Sequence, residues 1–323
     1  MSFKKILVAI IIVFVVLFIM IIILNSNKNP EPPETDGEPP QADRKAFWDA
    51  IQAEDIAQVS DEWTTPVRVD VNDGNWEDGV YISADGNALY FTYYPGEDLI
   101  TDFSKGKFKG RGLDVYVSYR ESDGQFKTKQ KFTEYYLSED IWSEGGVMID
   151  TDGNIFYDSN RDYVNDRKSD SDVYQNDERL AFNDDRGLGN PHYCKAKDEF
   201  WIGEEDKEIF VLKNAAANNF AGEIELVPAP INIQGSPSLQ PFLTPDCNTL
   251  YFATNRGEST GPTIYKSTRI GDTSWSEPEL VVKGKTGVGE PTLTDDGQYL
   301  FFLQLFKASD GTTTSDIFYT KRK

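Results

Sequence analysis

The sequence predicts an all-β protein, a β-propeller, carried behind a single N-terminal membrane anchor. Three observations lead there. An apolar run of 19 residues stands at Ile6–Leu24. Five later segments repeat one pattern of strand, tight turn and strand: Val80–Phe91, Val147–Tyr157, Pro191–Ile202, Pro241–Phe252 and Pro291–Phe302. Their turns recur at roughly 45–65 residues, the length of a four-stranded propeller blade.

The apolar run carries no charged or polar side chain. At ~1.5 Å per residue it spans a ~30 Å hydrocarbon core. A cleaved signal sequence has a shorter apolar region of ~7–15 residues followed by a small-x-small site. Here Asn25-Ser26-Asn27 follows, and no cysteine precedes Cys194 to take a lipid. The run therefore reads as an uncleaved anchor over 6–24, with 1–5 as a cytoplasmic tail. Lys4 and Lys5 precede it, whereas Glu31, Glu34, Asp36 and Glu38 follow it. The positive-inside rule then places everything after Leu24 in the periplasm or at the cell surface.

Residues 25–45 are rich in Pro and Glu and read as an extended linker. From Ala42 to Ser60 the spacing of Phe47, Trp48, Ile51, Ile56 and Val59 predicts a helix packed outside the main domain, which is expected to span 46–323. After Glu62, short runs of Tyr, Phe, Val and Ile alternate with Asp-Gly, Asn and Pro, a strand and hairpin texture.

In three repeats the turn is Asp-Gly (Asp85-Gly86, Asp152-Gly153, Asp296-Gly297), suited to tight hairpins because Gly takes positive φ without steric cost. The third repeat has Ala196-Lys197 there and the fourth Asp246-Cys247. A third strand is expected at Leu113–Tyr119, Ser171–Gln175, Lys207–Leu212, Thr263–Ser267 and Ser315–Thr320. A fourth is clearest at Trp275–Val281, with weaker counterparts at Phe126–Phe132, Glu178–Phe182 and Glu223–Ile231. The fifth repeat lacks one. Trp63–Val69 has the character of a fourth strand and no repeat of its own. Pairing it beside Asp316–Thr320 would close the ring and leave no exposed seam. Five blades are counted; a sixth, drawn from 42–62 or 133–142, stays open.

Several segments, "LTPDCNTLYFATNR" (Leu243–Arg256), "SNR" (Ser159–Arg161), "SDIFY" (Ser315–Tyr319) and "WSEPEL" (Trp275–Leu280), resemble the WD40-like (PD40) repeats of the TolB-type propeller family. The resemblance covers about Trp63 to Lys323 and implies the propeller fold. It implies no activity, since that fold hosts many unrelated roles. Propellers of that family commonly have six blades, a departure from the five counted.

Catalytic signatures are sparse. The one histidine, His192, excludes a two-histidine zinc motif; no Gly-x-Ser-x-Gly elbow, P-loop or dinucleotide fingerprint occurs. His192 reads as a polar pore or packing residue. The net charge of −22 excludes a nucleic-acid partner. Glu77, Asp78, Glu144, Asn190, Gln240 and Glu290 lie at the entrances of inner strands, as positions related by the repeat, and are candidate ligand contacts at the channel mouth. Paired carboxylates there would suit a glycosidase, for which an acid and a base or nucleophile ~5–10 Å apart are needed; the plainer reading is that they cap and solvate the channel. Asn160, Arg161, Asn255 and Arg256 occupy matching loops, as contacts to an anionic ligand or as braces within each blade. The oxygen-rich segment Asp158–Asp172 could hold calcium but lacks EF-hand spacing, so a solvated loop is the better reading and no other cofactor is expected.

Cys194 and Cys247 map to one face of adjacent blades. A single disulfide outside the cytoplasm stays open; it requires Cα atoms within ~7 Å, a close approach for neighbouring blades, so free thiols are the preferred reading. The functional expectation is a membrane-anchored, non-catalytic module that binds or scaffolds a protein or glycan. The alternative is a carbohydrate-active hydrolase using channel carboxylates.

Overall fold

Five repeats of a strand–turn–strand unit cannot bury both faces of their sheets singly; set side by side, each blade covers the next. The computed structural model shows this arrangement over the described residues 41–96, 98–104, 113–138, 142–161, 171–204, 207–257 and 261–323. The segments read as anchor (6–24) and linker lie outside them as far as residue 40, and among the described residues no helix is long and apolar enough to cross a membrane.

The described chain opens with helix α1 (Gln41–Glu54), then strands β1 (Gln58–Val59) and β2 (Val67–Arg68). Blade 1 is β3 (Trp76–Ile82), β4 (Ala88–Tyr94), β5 (Asp114–Tyr119) and β6 (Lys129–Lys131), with a short helix α2 (Leu99–Ser104) between β4 and β5. Blade 2 is β7 (Glu144–Ile149), β8 (Ile155–Ser159), β9 (Asp172–Gln175) and β10 (Glu178–Arg179). Blade 3 is β11 (Leu188–Cys194), β12 (Glu199–Glu204), β13 (Ile209–Lys213) and β14 (Glu225–Leu226). Blade 4 is β15 (Ser238–Leu243), β16 (Thr249–Thr254), β17 (Thr263–Thr268) and β18 (Glu279–Lys283). Blade 5 is β19 (Gly287–Leu293), β20 (Tyr299–Lys307), β21 (Thr313–Lys321) and, from the other side of the chain, β2. The propeller has five blades. The segments considered for a sixth go elsewhere: α1 takes 41–54, and a 3-10 turn occupies Glu134–Tyr136.

Ring closure follows the sequence expectation. Val67 pairs with Tyr319 and Arg68 with Phe318, antiparallel. Trp63 bridges Arg322. A recurrent clamp fixes this joint. The residue after the third strand is Arg in blades 1, 4 and 5. Its Nε donates to a carbonyl of the inner hairpin turn: Arg120 to Gly86 at 2.7 Å, Arg269 to Cys247 at 2.9 Å, Arg322 to Gly297 at 3.0 Å. Its guanidinium stacks on the aromatic ring that opens the fourth strand: Phe126, Trp275 and Trp63, at 4.7, 4.6 and 4.8 Å from the ring centre. In blade 5 that ring arrives from far upstream. Asn72 adds a second clamp. Its amide donates to the Val69 and Ile317 carbonyls and its oxygen accepts from Ile317 N, as Asn183 does in blade 2 and Asn232 in blade 3.

Two expectations at the N-terminal side are corrected. The helix begins at Gln41, inside the stretch read as linker, and stops at Glu54 rather than Ser60. Gln58 and Val59 instead pair with Lys283 and Val282, adding a fifth strand to blade 4. Helical periodicity gave way to an open sheet edge, which offers unpaired backbone groups to an extended segment. The helix is held to blade 5: Trp48 is fully buried, Gln52 donates to Asp316, and Arg68 joins Asp316 at 2.7 Å to Asp49 at 2.8 Å.

The cysteines are also corrected. Cys194 and Cys247 form a disulfide with Cα atoms 5.9 Å apart. Each ends or follows an inner strand, where blades converge on the axis and approach most closely. Cys247 also takes the positive φ, 58°, that Gly86, Gly153 and Gly297 take in their hairpins.

The closing contact should be measurable. Trp63→Ala in the full-length protein is expected to lower the unfolding free energy by ~3–5 kcal/mol, the usual loss for a buried aromatic, read from the urea midpoint. An unchanged midpoint would mean the ring closes without this joint.

Candidate functional site

Each inner strand is interrupted at the same place. The ladder between first and second strands shifts register after Asp78, Gly145, Gly189, Leu239 and Gly289. The next residue always adopts left-handed backbone: Gly79, Gly146, Asn190, Gln240 and Glu290 have φ between 52° and 55°. These are β-bulges, which bend a strand and re-aim its side chains. Glycine is required at position 79, where a Cβ would lie 2.5 Å from Thr92 Oγ1. The other side chains at this position must offset the cost of left-handed backbone in a non-glycine residue. Gln240 and Glu290 do so through hydrogen bonds to the adjacent blade. Gln240 Oε1 accepts from Glu290 N at 2.9 Å, and Gln240 Nε2 donates to Glu290 Oε1 at 3.2 Å. Glu290 Oε2 accepts from Val80 N at 2.9 Å, across the joint between blades 5 and 1.

The register regroups the candidates read from sequence. Glu77 and Glu144 are equivalent, two residues before the bulge; Asp78 is one before it; Asn190, Gln240 and Glu290 stand on it. They are thus three tiers of the channel wall rather than one ring, because a one-residue offset turns a strand's side chain to its opposite face. Glu77 is fully buried and pairs with Lys129 Nζ at 3.1 Å. Glu144, also fully buried, accepts from Ser138 N at 3.1 Å and faces Arg161 at 3.6 Å. Its burial pushes its pKa up to about 8 against the pull of that Arg. Asn190 N donates to Asp158 at 3.3 Å.

Asp78 and Glu290 make the one close acid pair of this set. Asp78 accepts from Trp76 Nε1 at 3.1 Å and from Gly79 N at 3.1 Å. It is also hydrogen-bonded to Glu290, so the two carboxyls share a proton. Burial is the main cause of the upward shift of both: Asp78 rises to about 6, and Glu290, further raised by the Asp78 charge, goes well above the usual carboxylate range. This contact is too short for a glycosidase pair, which stands ~5–10 Å apart to admit a sugar and water.

The loop candidates serve their own blades. Asn160 Oδ1 accepts from Ser143 N at 2.9 Å. Arg161 stacks on Tyr174 at 4.8 Å. Arg256 donates to the Pro230 carbonyl at 2.7 Å and to the Ile231 carbonyl, and stacks on Phe252 at 5.0 Å. Asn255 N donates to the Pro237 carbonyl at 3.4 Å. Most of the segment considered for calcium lies outside the described residues, among which no cluster of three or more His, Cys, Asp or Glu is placed to hold a metal.

The open space lies elsewhere. Tyr81, Met148, His192 and Phe242 form a collar between two chambers of the channel. One, about 40 Å³, is floored by the bulges. The other, about 100 Å³, lies toward the hairpin-turn face, where Tyr193, Lys195, Leu293 and Asp295 add to its wall. Beyond Phe242, Pro245, Leu293 and Asp295 it runs into a cleft of about 300 Å³ over the seam of blades 4 and 5. Sequence reasoning placed the site at the strand entrances and missed this mouth. The available signal was the residue two past each bulge, which recurs as Tyr81, Met148, His192, Phe242 and Thr292.

Comparison with known protein families and with curated proteins finds no match. Among solved structures, the chain is similar to a protein of unknown function from Dyadobacter fermentans, at 9% identity, with 83% of this chain and 99% of that one covered and a TM-score of 0.46. It is also similar to a TolB-like protein from Agrobacterium tumefaciens (13%, 77% and 83%, TM-score 0.42) and to a glycoside hydrolase (8%, 86% and 96%, TM-score 0.47). Identities this low say nothing of ligand or activity.

The shared proton gives a pH signature. Unfolded, Glu290 ionises near 4.5; folded, it keeps its proton to higher pH. Stability is then full below 4.5 and is lost as pH rises through the folded values of the pair. Glu290→Gln cannot ionise and should lose less stability than wild type as pH rises above about 4.5, read from urea midpoints. Equal losses would refute the proton-sharing assignment.

Proposed function

We propose that this chain is a membrane-anchored, extracytoplasmic propeller that binds a protein or a glycan without cutting it. The observation that carries this reading is the condition of the inner-strand acids. Glu77, Asp78, Glu144 and Glu290 are each less than a tenth exposed and each accepts hydrogen bonds or an ion pair from the protein. A general acid or nucleophile must reach a substrate atom; these reach the backbone and side chains of neighbouring strands. The open mouth, by contrast, is walled by Tyr81, Met148, Phe242 and Leu293 with a few polar groups, the make-up of a site that holds a ligand.

Placement outside the cytoplasm is supported by the apolar run at Ile6–Leu24 with Lys4 and Lys5 before it. The Cys194–Cys247 disulfide supports it independently, since such bonds persist in oxidising compartments. The anchor then serves to hold the binding face near the membrane.

The test is purification of the full-length protein from its native membrane under gentle solubilisation. A stoichiometric protein or glycan that survives washing is the expected result. Glu144→Gln and Glu290→Gln should retain it. Release of sugars from a glycan, abolished by either variant in a folded protein, would overturn the reading in favour of a hydrolase.

A further inference from the structure

We propose that the turn-face mouth of the channel takes a lysine-like primary ammonium group on an extended basic peptide segment. This rests on the binding reading above and names the chemistry of its ligand. Three separate features of the mouth select that group.

The first is the collar histidine. His192 is 7% exposed, and that exposure opens on the channel, whose two chambers it lines. Its ring packs on Phe242 with centres 4.6 Å apart. The one polar neighbour that favours its protonated form is the backbone of Leu243. Burial keeps the imidazole neutral, so one ring nitrogen is a donor and the other an acceptor. The nearest partner for the donor nitrogen is the backbone of Leu243. Among the described residues nothing donates to the acceptor nitrogen, which is left for an N–H of a ligand.

The second is the wall. Tyr81 donates its hydroxyl to the Ile149 carbonyl at 2.8 Å, and Tyr193 donates its own to Asp198 at 2.9 Å. With the hydroxyls tied, these residues offer ring surface. Together with Phe242 and Met148 they suit an alkyl stem, and aromatic faces attract a cation at its end.

The third is charge. Asp295 is exposed on the wall shared by mouth and cleft, and no Lys or Arg among the described residues pairs with it. Asp246 and Asp296 line the cleft beside it. The one cation of the mouth among the described residues, Lys195, is engaged with Asp152 at 2.6 Å and Thr151 at 3.1 Å. An ammonium group entering here meets a lone pair ahead and an uncompensated carboxylate at its flank, while the peptide backbone follows the cleft over Phe242, Pro245 and Leu293. A neutral sugar could hydrogen-bond His192 and Asp295 but would leave the Asp295 charge uncompensated.

The experiment titrates the full-length protein in detergent micelles with the capped pentapeptide Gly-Leu-Lys-Leu-Gly by calorimetry. Controls are the same peptide acetylated on the lysine and the same peptide with Glu in its place. Binding of the lysine peptide, weakened about tenfold or more by acetylation and by Asp295→Lys, is expected, since like charges at an interface are strongly disfavoured. His192→Leu should weaken it to a similar degree by leaving an N–H unmet. Far-UV circular dichroism and urea midpoints check that both variants are folded. No binding, or equal binding of lysine and acetyl-lysine peptides, overturns the inference. So does a native partner that still copurifies with folded Asp295→Lys; that result leaves the binding reading intact and removes only its site and chemistry.

Discussion

A ring of five sheets has one joint that the repeating chain cannot make for itself, and this propeller depends on how that joint is closed. The fifth repeat supplies three strands. The fourth comes from Val67–Arg68, some 250 residues upstream. Two backbone pairs would be a weak seal. What strengthens it is that the upstream segment carries the same side chains an internal blade would use: Trp63 beneath Arg322, and Asn72 bonded to both backbone groups of Ile317. The joint combines the Arg–aromatic clamp of blades 1 and 4 with the Asn clamp of blades 2 and 3, with the covalent link removed. Arg68 then ties the seal outward to α1 through Asp49, so the N-terminal helix is fastened at the point of closure.

The channel is shaped by the same demand for close approach. Strands converging on an axis crowd one another, and a left-handed bulge in each inner strand relieves the crowding at a cost in backbone strain. Gly79 and Gly146 avoid that cost. Gln240 and Glu290 accept it and return hydrogen bonds across blade seams. The inner carboxylates are therefore part of the scaffold. Burial raises the pKa of Glu290 well above the usual carboxylate range, and the neighbouring Asp78 charge raises it further.

The two ends of the channel differ for this reason. Below the collar, the inner acids are bonded to neighbouring strands, although Glu77 Oε2 keeps no partner among the described residues. Above it, the hairpin turns splay apart and leave space walled by rings and rimmed by aspartates. Asp85, Asp246 and Asp296 hold their own turns through neighbouring backbone and side-chain groups, whereas Asp295 faces the opening. The disulfide between blades 3 and 4 lies at the same end, with Cys194 in the wall of the mouth, where it fixes two blades that bound the opening.

The sequence by itself determined the blade: strand alternation, Asp-Gly turns and their spacing are local signals, and each inner hairpin falls where they put it. It also determined the closing partner of the fifth blade, because a strand of fourth rank without a repeat has one vacancy to fill. Helix α1 was legible, though its end at Glu54 was not, since an edge of blade 4 captured Gln58 and Val59. Only the tertiary structure decided which side chains face the axis. A bulge of one residue reverses the direction of everything before it, and nothing local distinguishes Asp78 from Glu77 until the register is known. The pairing of Cys194 with Cys247 and the meeting of His192, Phe242 and Asp295 at one mouth were decided in the same way. They come from different blades, and their proximity follows from how tightly five blades pack around an axis rather than from any spacing along the chain.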